Sequence, residues 1–433
     1  MAIRIYHPLI PATQLQAVTG YALTAAHGTF TLSGQAVTLK VARVIAAANG
    51  SFALSGQSVT LIYGKRIIAN AGTYTLTGQS VGLASTRKIA AGQGSYALSG
   101  QAVGVLSSRK LTAGTGSFAL TGQAVVLALG KSLAANHGSF ALTGQAVGLG
   151  AARRLAAAHG SFILTGQDIA LKRALTLAVA HGAFTLSGQA VDLLRGLKTV
   201  AGQGAFTLAG QAVGLLKQSI LSSAHGVFTL SGQIVSLLKG SYVSAGRGSF
   251  VLSGQDVTLT YDSGGDPILT AEHGLFVFTG QDIGLRVGRV VTAGVGTFAL
   301  SGQAVGLVAH RVLSAGSGSF VLTGQAVAIT RALKILATHG SFNLAGQAVN
   351  FQVARKILAE HGLFILMGQD VDLVSDATIY AKIEGQGRFR DLEGRGYRAF
   401  SSLGNARDYE GSGEAVARLA TIGRSRRYEL RGE

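Results

Sequence analysis

Between residues 21 and 374 apolar and polar positions alternate in short runs, and the runs return at a fixed interval. In "SFALTGQAVVL" (117–127) the apolar positions are Phe118, Leu120, Val125 and Leu127, and Leu111 and Ala113 alternate in the same way upstream. Alternation by two predicts strands with one face turned inward. The inward parity changes between Ala113 and Phe118 and again between Leu120 and Val125. Each change falls on a glycine-containing corner, "GTGS" and "TGQA". One copy therefore predicts three short strands, roughly "RKLTA", "SFALT" and "QAVVL", divided by tight turns.

The Gly of each Gly-Gln pair marks the repeat. It stands at Gly34, Gly56, Gly78, Gly100, Gly122, Gly144, Gly166, Gly188, Gly210, Gly232, Gly254, Gly280, Gly302, Gly324, Gly346 and Gly368. Every interval is 22 residues except one of 26, between Gly254 and Gly280, which carries the insertion "YDSGGDP" (261–267). A strict period over sixteen copies signals a repeat architecture, because no copy can bury its own Phe-Leu-Val-Leu face without neighbours.

Two all-β arrangements fit. In a β-solenoid the three strands make one coil, and coils stack at about 4.8 Å. In a repeated-hairpin meander the Gly-Gln pair is a two-residue turn of type II′. The solenoid is favoured, because a turn-exposed Gln has no reason to recur sixteen times, whereas stacked amides can donate one to the next. That ladder would comprise Gln35, Gln57, Gln79, Gln101, Gln123, Gln145, Gln167, Gln189 and their later equivalents. The fixed pitch points the same way, since free loops tolerate changes of length cheaply.

The outward positions are mostly Ala, Ser, Thr and Gly. A long face of small, weakly polar side chains predicts cover by another surface, most simply by further copies of the same chain. A homo-oligomer is expected, with a trimer the first choice of symmetry.

Composition narrows the class. The chain has 433 residues, 48% of them hydrophobic, with 62 Gly and 3 Pro, too apolar for a disordered chain. It has no cysteine, which excludes disulfides and thiolate metal sites. Residues 1–20 lack the repeat, hold Pro8 and Pro11, and predict a cap or attachment segment without a long apolar core of the secretory type. No run of 18 apolar residues predicts a membrane span. From residue 375 to 433 the chain turns polar, Arg-rich and Gly-punctuated every eight to eleven residues, which predicts a small β-rich C-terminal module. Its Arg388, Arg390, Tyr397, Arg398 and Tyr409 are candidate docking or recognition residues; a solvated cap closing the array is the plainer reading.

The net charge is +18, from 37 basic and 19 acidic side chains. The basic residues concentrate seven to ten positions after the corner Gly, as in Arg87, Lys88, Arg109, Lys110, Arg153, Arg154, Arg355 and Lys356. Stacked coils would align them into a positive line. That line could bind a polyanion such as an anionic cell-surface glycan, guard a strand edge, or simply keep an apolar array soluble. No aromatic residues interleave with it to stack bases, so dedicated nucleic-acid binding is not expected.

Candidate chemistry is thin. Eight of the ten His precede a corner glycine, including the consecutive His137, His159 and His181. In other copies Asn49, Ala71, Gln93, Thr115 and Arg247 take that slot, which marks a tolerant turn position in place of a metal ligand. Asp168, Asp256, Asp282 and Asp370 recur after Gln without a paired carboxylate nearby in sequence. No nucleophile–base set is visible, and neither an enzyme nor a cofactor is expected.

The "GSFALTGQAVGL…R.L.A" array of residues 21–374 resembles the glycine-rich β-repeat proteins of tailed bacteriophage and prophage virions, of the fibre or minor tail type. The resemblance rests on repeat style and carries no site residues. It implies a structural virion protein, a stiff appendage that docks to other virion proteins, contacts a host surface and leaves the cell by lysis. The alternative is a stand-alone adhesin on anionic cell-surface glycan; an ice-binding solenoid is disfavoured by the mixed Ala, Ser and Thr outward rows.

Overall fold

Phe, Leu, Val and Ile at every second position favour extended backbone with one dry face, and glycine-bearing bends every few residues stop each strand from growing. A computed structural model of the chain describes residues 15–17, 20–40, 42–62, 65–84, 87–106, 109–128, 130–193, 196–260, 268–287, 290–309, 312–359, 361–380, 382–395, 399–403, 410–412, 419–422 and 429–431. It is an all-β solenoid of 22-residue coils. A typical coil has a first strand Lys110–Ala113, a second Ser117–Thr121 and a third Ala124–Ala128. These are the three strands that the alternation predicted.

Each strand pairs in parallel with its equivalent in the next coil. Phe118 lies beside Phe140, Leu111 beside Leu133 and Val125 beside Val147. Parallel pairing at an offset of one repeat excludes the hairpin meander, whose strands would run antiparallel within a copy. The chain falls into two compact units, Met1–Leu216 and Lys217–Glu433.

In the first unit the stacking reaches back to the strand Leu15–Ala17, which pairs with Ala36–Lys40 inside the segment read as a cap. Six inward side chains per coil make the core, for example Leu133, Ala135, Phe140, Leu142, Val147 and Leu149, all essentially inaccessible. The aromatic position forms a continuous column. Phe118, Phe140 and Phe162 stack with ring centroids 4.8 Å apart and planes within 5° of parallel. Burial of each ring is worth about 3 kcal/mol, and the stacking adds a smaller increment.

The second unit repeats this architecture. Its pairing continues on both sides of the insertion: Ser249 lies beside Leu275 and Val257 beside Ile283, and in sequence residues 261–267 fall between a third strand and the following first strand. In the coil that follows, Phe278 stands where other copies have Leu. Its ring lies 5.7 Å from Phe298, and Phe276 tilts by 37° and 43° against its two neighbours in the column. The surplus ring volume in that layer is absorbed by tilt.

Beyond residue 374 parallel pairing continues with shorter coils. Phe364 pairs with Ile383, Ile383 with Phe400 and Phe400 with Leu419, offsets of 17 to 19 residues. The small C-terminal β-rich region therefore also pairs in parallel, with shorter coils and with register shifts where it joins the array.

The corner glycines are explained by contact. A Cβ on Gly166 would lie 2.5 Å from the carbonyl oxygen of Gly144 and 3.1 Å from that of Gln145, and its equivalents in both units meet the preceding corner in the same way. Gly166 needs no left-handed φ. It is glycine because two backbones pass too closely for a side chain. On the outward side of the third strand Gly148 meets nothing, and Val126 and Ala170 hold its place in the adjacent coils. Gly166→Ala is therefore expected to destabilise the chain by about 1–3 kcal/mol, while Gly148→Ala is neutral or slightly stabilising. Chemical denaturation of the two variants compares them.

Tyr74 and Tyr96 occupy the aromatic column of the first unit, stacked at 4.7 Å and fully buried. Neither hydroxyl has a hydrogen-bond partner in the structure, and burial pushes both well above the ordinary tyrosine value of 10.0. A folded value above the unfolded one leaves stability intact below pH 10.0 and erodes it as the pH rises beyond. The double variant Tyr74→Phe/Tyr96→Phe is expected to gain about 1 kcal/mol or more per hydroxyl at neutral pH. It should also lose less stability than the parent chain in alkaline buffer, as denaturant titrations at the two pH values would show.

Candidate functional site

The third corner, where the third strand gives way to the next first strand, gathers the basic side chains of the first unit. Arg66, Lys88 and Lys110 are successive partners in the parallel register, and Ser132, Arg154, Thr176 and Lys198 continue the column. Lys65, Arg87 and Arg109 precede the first three directly in sequence. Lys65, Arg66, Arg87, Arg109, Lys110 and Arg154 are exposed, and Lys88 is half-buried. The strand Lys88–Ala91 is paired on both sides, with Arg66–Ala69 and with Lys110–Ala113, so these cations guard no open sheet edge. Arg153 and, in the second unit, Arg355 and Lys356 lie on described strands at the equivalent positions.

The glutamine corner is also a column. Gln57, Gln79, Gln101, Gln123, Gln145, Gln167 and Gln189 are all exposed, as is Gln35. What joins the later members is the peptide group: the Gln167 N–H donates to the Gln145 carbonyl at 2.9 Å and the Gln189 N–H to the Gln167 carbonyl at 2.8 Å. Among the described residues no side-chain hydrogen bond links these amides. The expected ladder is thus carried by the backbone in the isolated chain, and the amide heads face outward.

His137, His159 and His181 stack at the remaining corner, exposed, with centroids 4.8 Å apart and planes within 1° of parallel. Face-to-face rings send their in-plane lone pairs along parallel directions, so they do not converge on one ion. Among the described residues no three His, Asp or Glu stand close enough together to hold a metal. Asp168 and Asp192, the acidic residues of the first unit, lie on third strands and are exposed.

The outward faces are lined with small side chains in register. Ser95, Ala97 and Ser99 lie beside Ser117, Ala119 and Thr121, which lie beside Ser139, Ala141 and Thr143. Hydroxyls bridge some coils, as from the Ser99 Oγ to the Thr77 Oγ1 at 3.4 Å. Leu106 and Val126 on the third-strand face are 52% and 44% exposed. No helix in the described residues is long and apolar enough to cross a membrane.

Of the C-terminal candidates, Arg388 and Arg390 fall on the strand Lys382–Arg395, where their backbones pair with Asp370 and Asp372. Tyr397, Arg398 and Tyr409 lie outside the described residues. Within this β-rich region "RDLEG" (390–394) returns 17 residues on as "RDYEG" (407–411), while the strands there pair at an offset of 19, Leu392 with Gly411.

Compared with protein-family models, curated proteins and solved structures, the chain matches none.

The basic column carries an electrostatic consequence of its own. Like charges one coil apart repel in the folded chain and separate on unfolding, and added salt screens that repulsion. The thermal midpoint is expected to rise as NaCl increases from about 0.01 M to 0.15 M, where the screening length falls from about 30 to 8 Å. In the variant Arg87→Gln/Lys88→Gln/Arg109→Gln/Lys110→Gln the slope should flatten, as calorimetry at several salt concentrations would reveal.

Proposed function

We propose that the chain is a structural subunit of an extended homo-oligomeric appendage, assembled through its glutamine corners and small-residue faces. The fold beneath this reading is a fibrous all-β repeat protein, with coils stacked along one axis within each unit. The observation that carries the reading is the glutamine column. Gly at the corner is demanded by the fold, whereas Gln beside it is exposed, makes no side-chain hydrogen bond within the described residues and is nevertheless present in all sixteen copies. An amide row spaced at one coil, with donor and acceptor both free, matches a surface with the same spacing, and another copy of this chain has that spacing.

The flanking rows of Ala, Ser and Thr allow backbones to approach closely, and the exposed Leu106 and Val126 add apolar area to such a seam. A trimer closes a seam of this kind about one axis. The resemblance to fibre and minor tail proteins of tailed phages supports placing the assembly in a virion, docked to other particle proteins and presented toward a host surface.

Light scattering tests the seam. The chain has a mass of 44.2 kDa, and an assembled subunit elutes at a multiple of it, three times that value for the trimer. Gln123→Lys/Gln145→Lys/Gln167→Lys, which adds like charges along the corner, should shift the mass to 44.2 kDa with the circular dichroism of the coil unchanged. A parent chain that runs at 44.2 kDa at all concentrations defeats the proposal.

A further inference from the structure

The charge of the first unit is segregated to a degree that its fold does not require. From residue 1 to residue 167 there are 12 Lys and Arg and no Asp or Glu. Of the 11 that follow residue 21, all but Lys40 stand nine or ten positions after a corner glycine. The structure makes that sequence position a place: the corner at which Lys65, Arg66, Arg87, Lys88, Arg109 and Lys110 project from three consecutive coils. The coil spacing there is 4.8 Å, given by the stacked rings of Tyr96 and Phe118 in the same coils. Among the described residues no carboxylate pairs with any of these cations.

None of the structural uses of surface charge accounts for this. The strands concerned are paired on both sides, so there is no edge to protect. Charge kept for solubility is best spread over a surface with both signs mixed, whereas here one sign is concentrated on a single corner and repels itself. A line of that kind is completed by counter-charge from outside.

We infer that this corner binds a linear anionic polysaccharide laid along the coil axis, its carboxylate or sulfate groups meeting successive coils. The form of the line selects the partner. It is one corner wide and repeats in register, with two cations in each of three consecutive coils, and it suits a single extended chain carrying a charge on each sugar unit. Duplex DNA presents about one charge per 1.7 Å of axis on two strands that wind away from a straight contact, so only a few phosphates would meet the line. Single-stranded nucleic acid is held by stacking on aromatic side chains, and apart from Tyr63 the segments joining third to first strands in this unit contain none. A lipid surface calls for a broad apolar face beside the charge, whereas in the neighbouring outward column Ile68 is followed by the small Ala90, Thr112, Ala134 and Ala156, and Leu106 stands alone before the corner. This assignment is independent of the appendage reading: it concerns a different corner and holds for a monomer.

The test uses the full chain and two immobilised linear glycans, heparin and alginate, with duplex DNA and anionic lipid vesicles as competitors. The parent chain should bind both glycans at about 0.15 M NaCl with an affinity that falls linearly in log–log form as salt rises. Arg87→Gln/Lys88→Gln/Arg109→Gln/Lys110→Gln should lose about tenfold or more in affinity and reduce the salt slope by about three. Arg87→Lys/Arg109→Lys, which keeps the charge, should bind within about twofold of the parent, and so should Arg247→Gln/Arg286→Gln, which removes exposed cations of the second unit. Failure of the parent to bind either glycan overturns the inference. So does equal binding by the fourfold Gln variant, or tighter binding to DNA or vesicles than to both glycans at the same salt. Should the fourfold variant not fold, the competition series and the Arg→Lys pair decide the matter.

Discussion

The fold of the described coils follows from laying one peptide group over the same peptide group of the next coil, in parallel and in register, at 4.8 Å. A coil that gained or lost a residue within a strand would turn all its later side chains to the wrong face, so within the array the period holds at 22 apart from the single interval of 26. The interval of 26 shows where that constraint relaxes. Its extra residues come after the strand Asp256–Thr260 and before Ile268–Ala271, and both strands keep their partners. The other two corners have no such freedom. There the carbonyl of one glycine sits where the Cβ of the next would be, and peptide N–H groups such as those of Gly166 and Asp168 bond to the coils on either side.

Stacking identical positions sets each side chain beside its own kind. For Phe the result is favourable, since ring on ring excludes water from both faces. For Tyr74 and Tyr96 it is a compromise, because the column that welcomes the rings has no partner for their hydroxyls. For ionised groups it is adverse, since opposite charges meet only if neighbouring coils differ. Asp370 and Asp372 against Arg388 and Arg390 show that arrangement in the backbone register near the end of the second unit. Among the described residues of the first unit no strand pairing sets an acidic residue beside a basic one.

Much of this was legible before any coordinates. Period, strand count and inward residues could be read from alternation and its two changes of parity, because a solenoid corner and a change of facing are the same event. Alternation could not separate coil from hairpin, for "TGQA" serves equally as a solenoid corner or a hairpin turn. The deciding quantity, the distance from a glycine to the backbone of the next copy, is a property of two copies together. The small β-rich C-terminal region was legible in the change of composition at residue 375, but its parallel pairing at 17 to 19 residues was not, because no period as strict as that of the array marks it. The glutamines were assigned a hydrogen-bonded ladder that the peptide groups beside them provide instead.

That reassignment sharpens where function must be sought. Invariance at an inward position or at a close-packed corner is what folding alone demands, and Phe, Leu, Val and the corner Gly are spoken for in this way. Outward positions are released from that demand, and most of them drift freely: Ala, Ile and Thr follow one another at 141, 163 and 185, and His gives way to Gln or Arg at 203 and 247. Two outward patterns stand apart from that drift. One keeps an amide in every copy, and the other keeps its cations to a single corner and excludes acids over many consecutive coils. Neither pattern lowers the free energy of the isolated coil; the second raises it. Constraint that folding does not supply, on side chains that face away from the core, is the ground on which the proposed contacts rest.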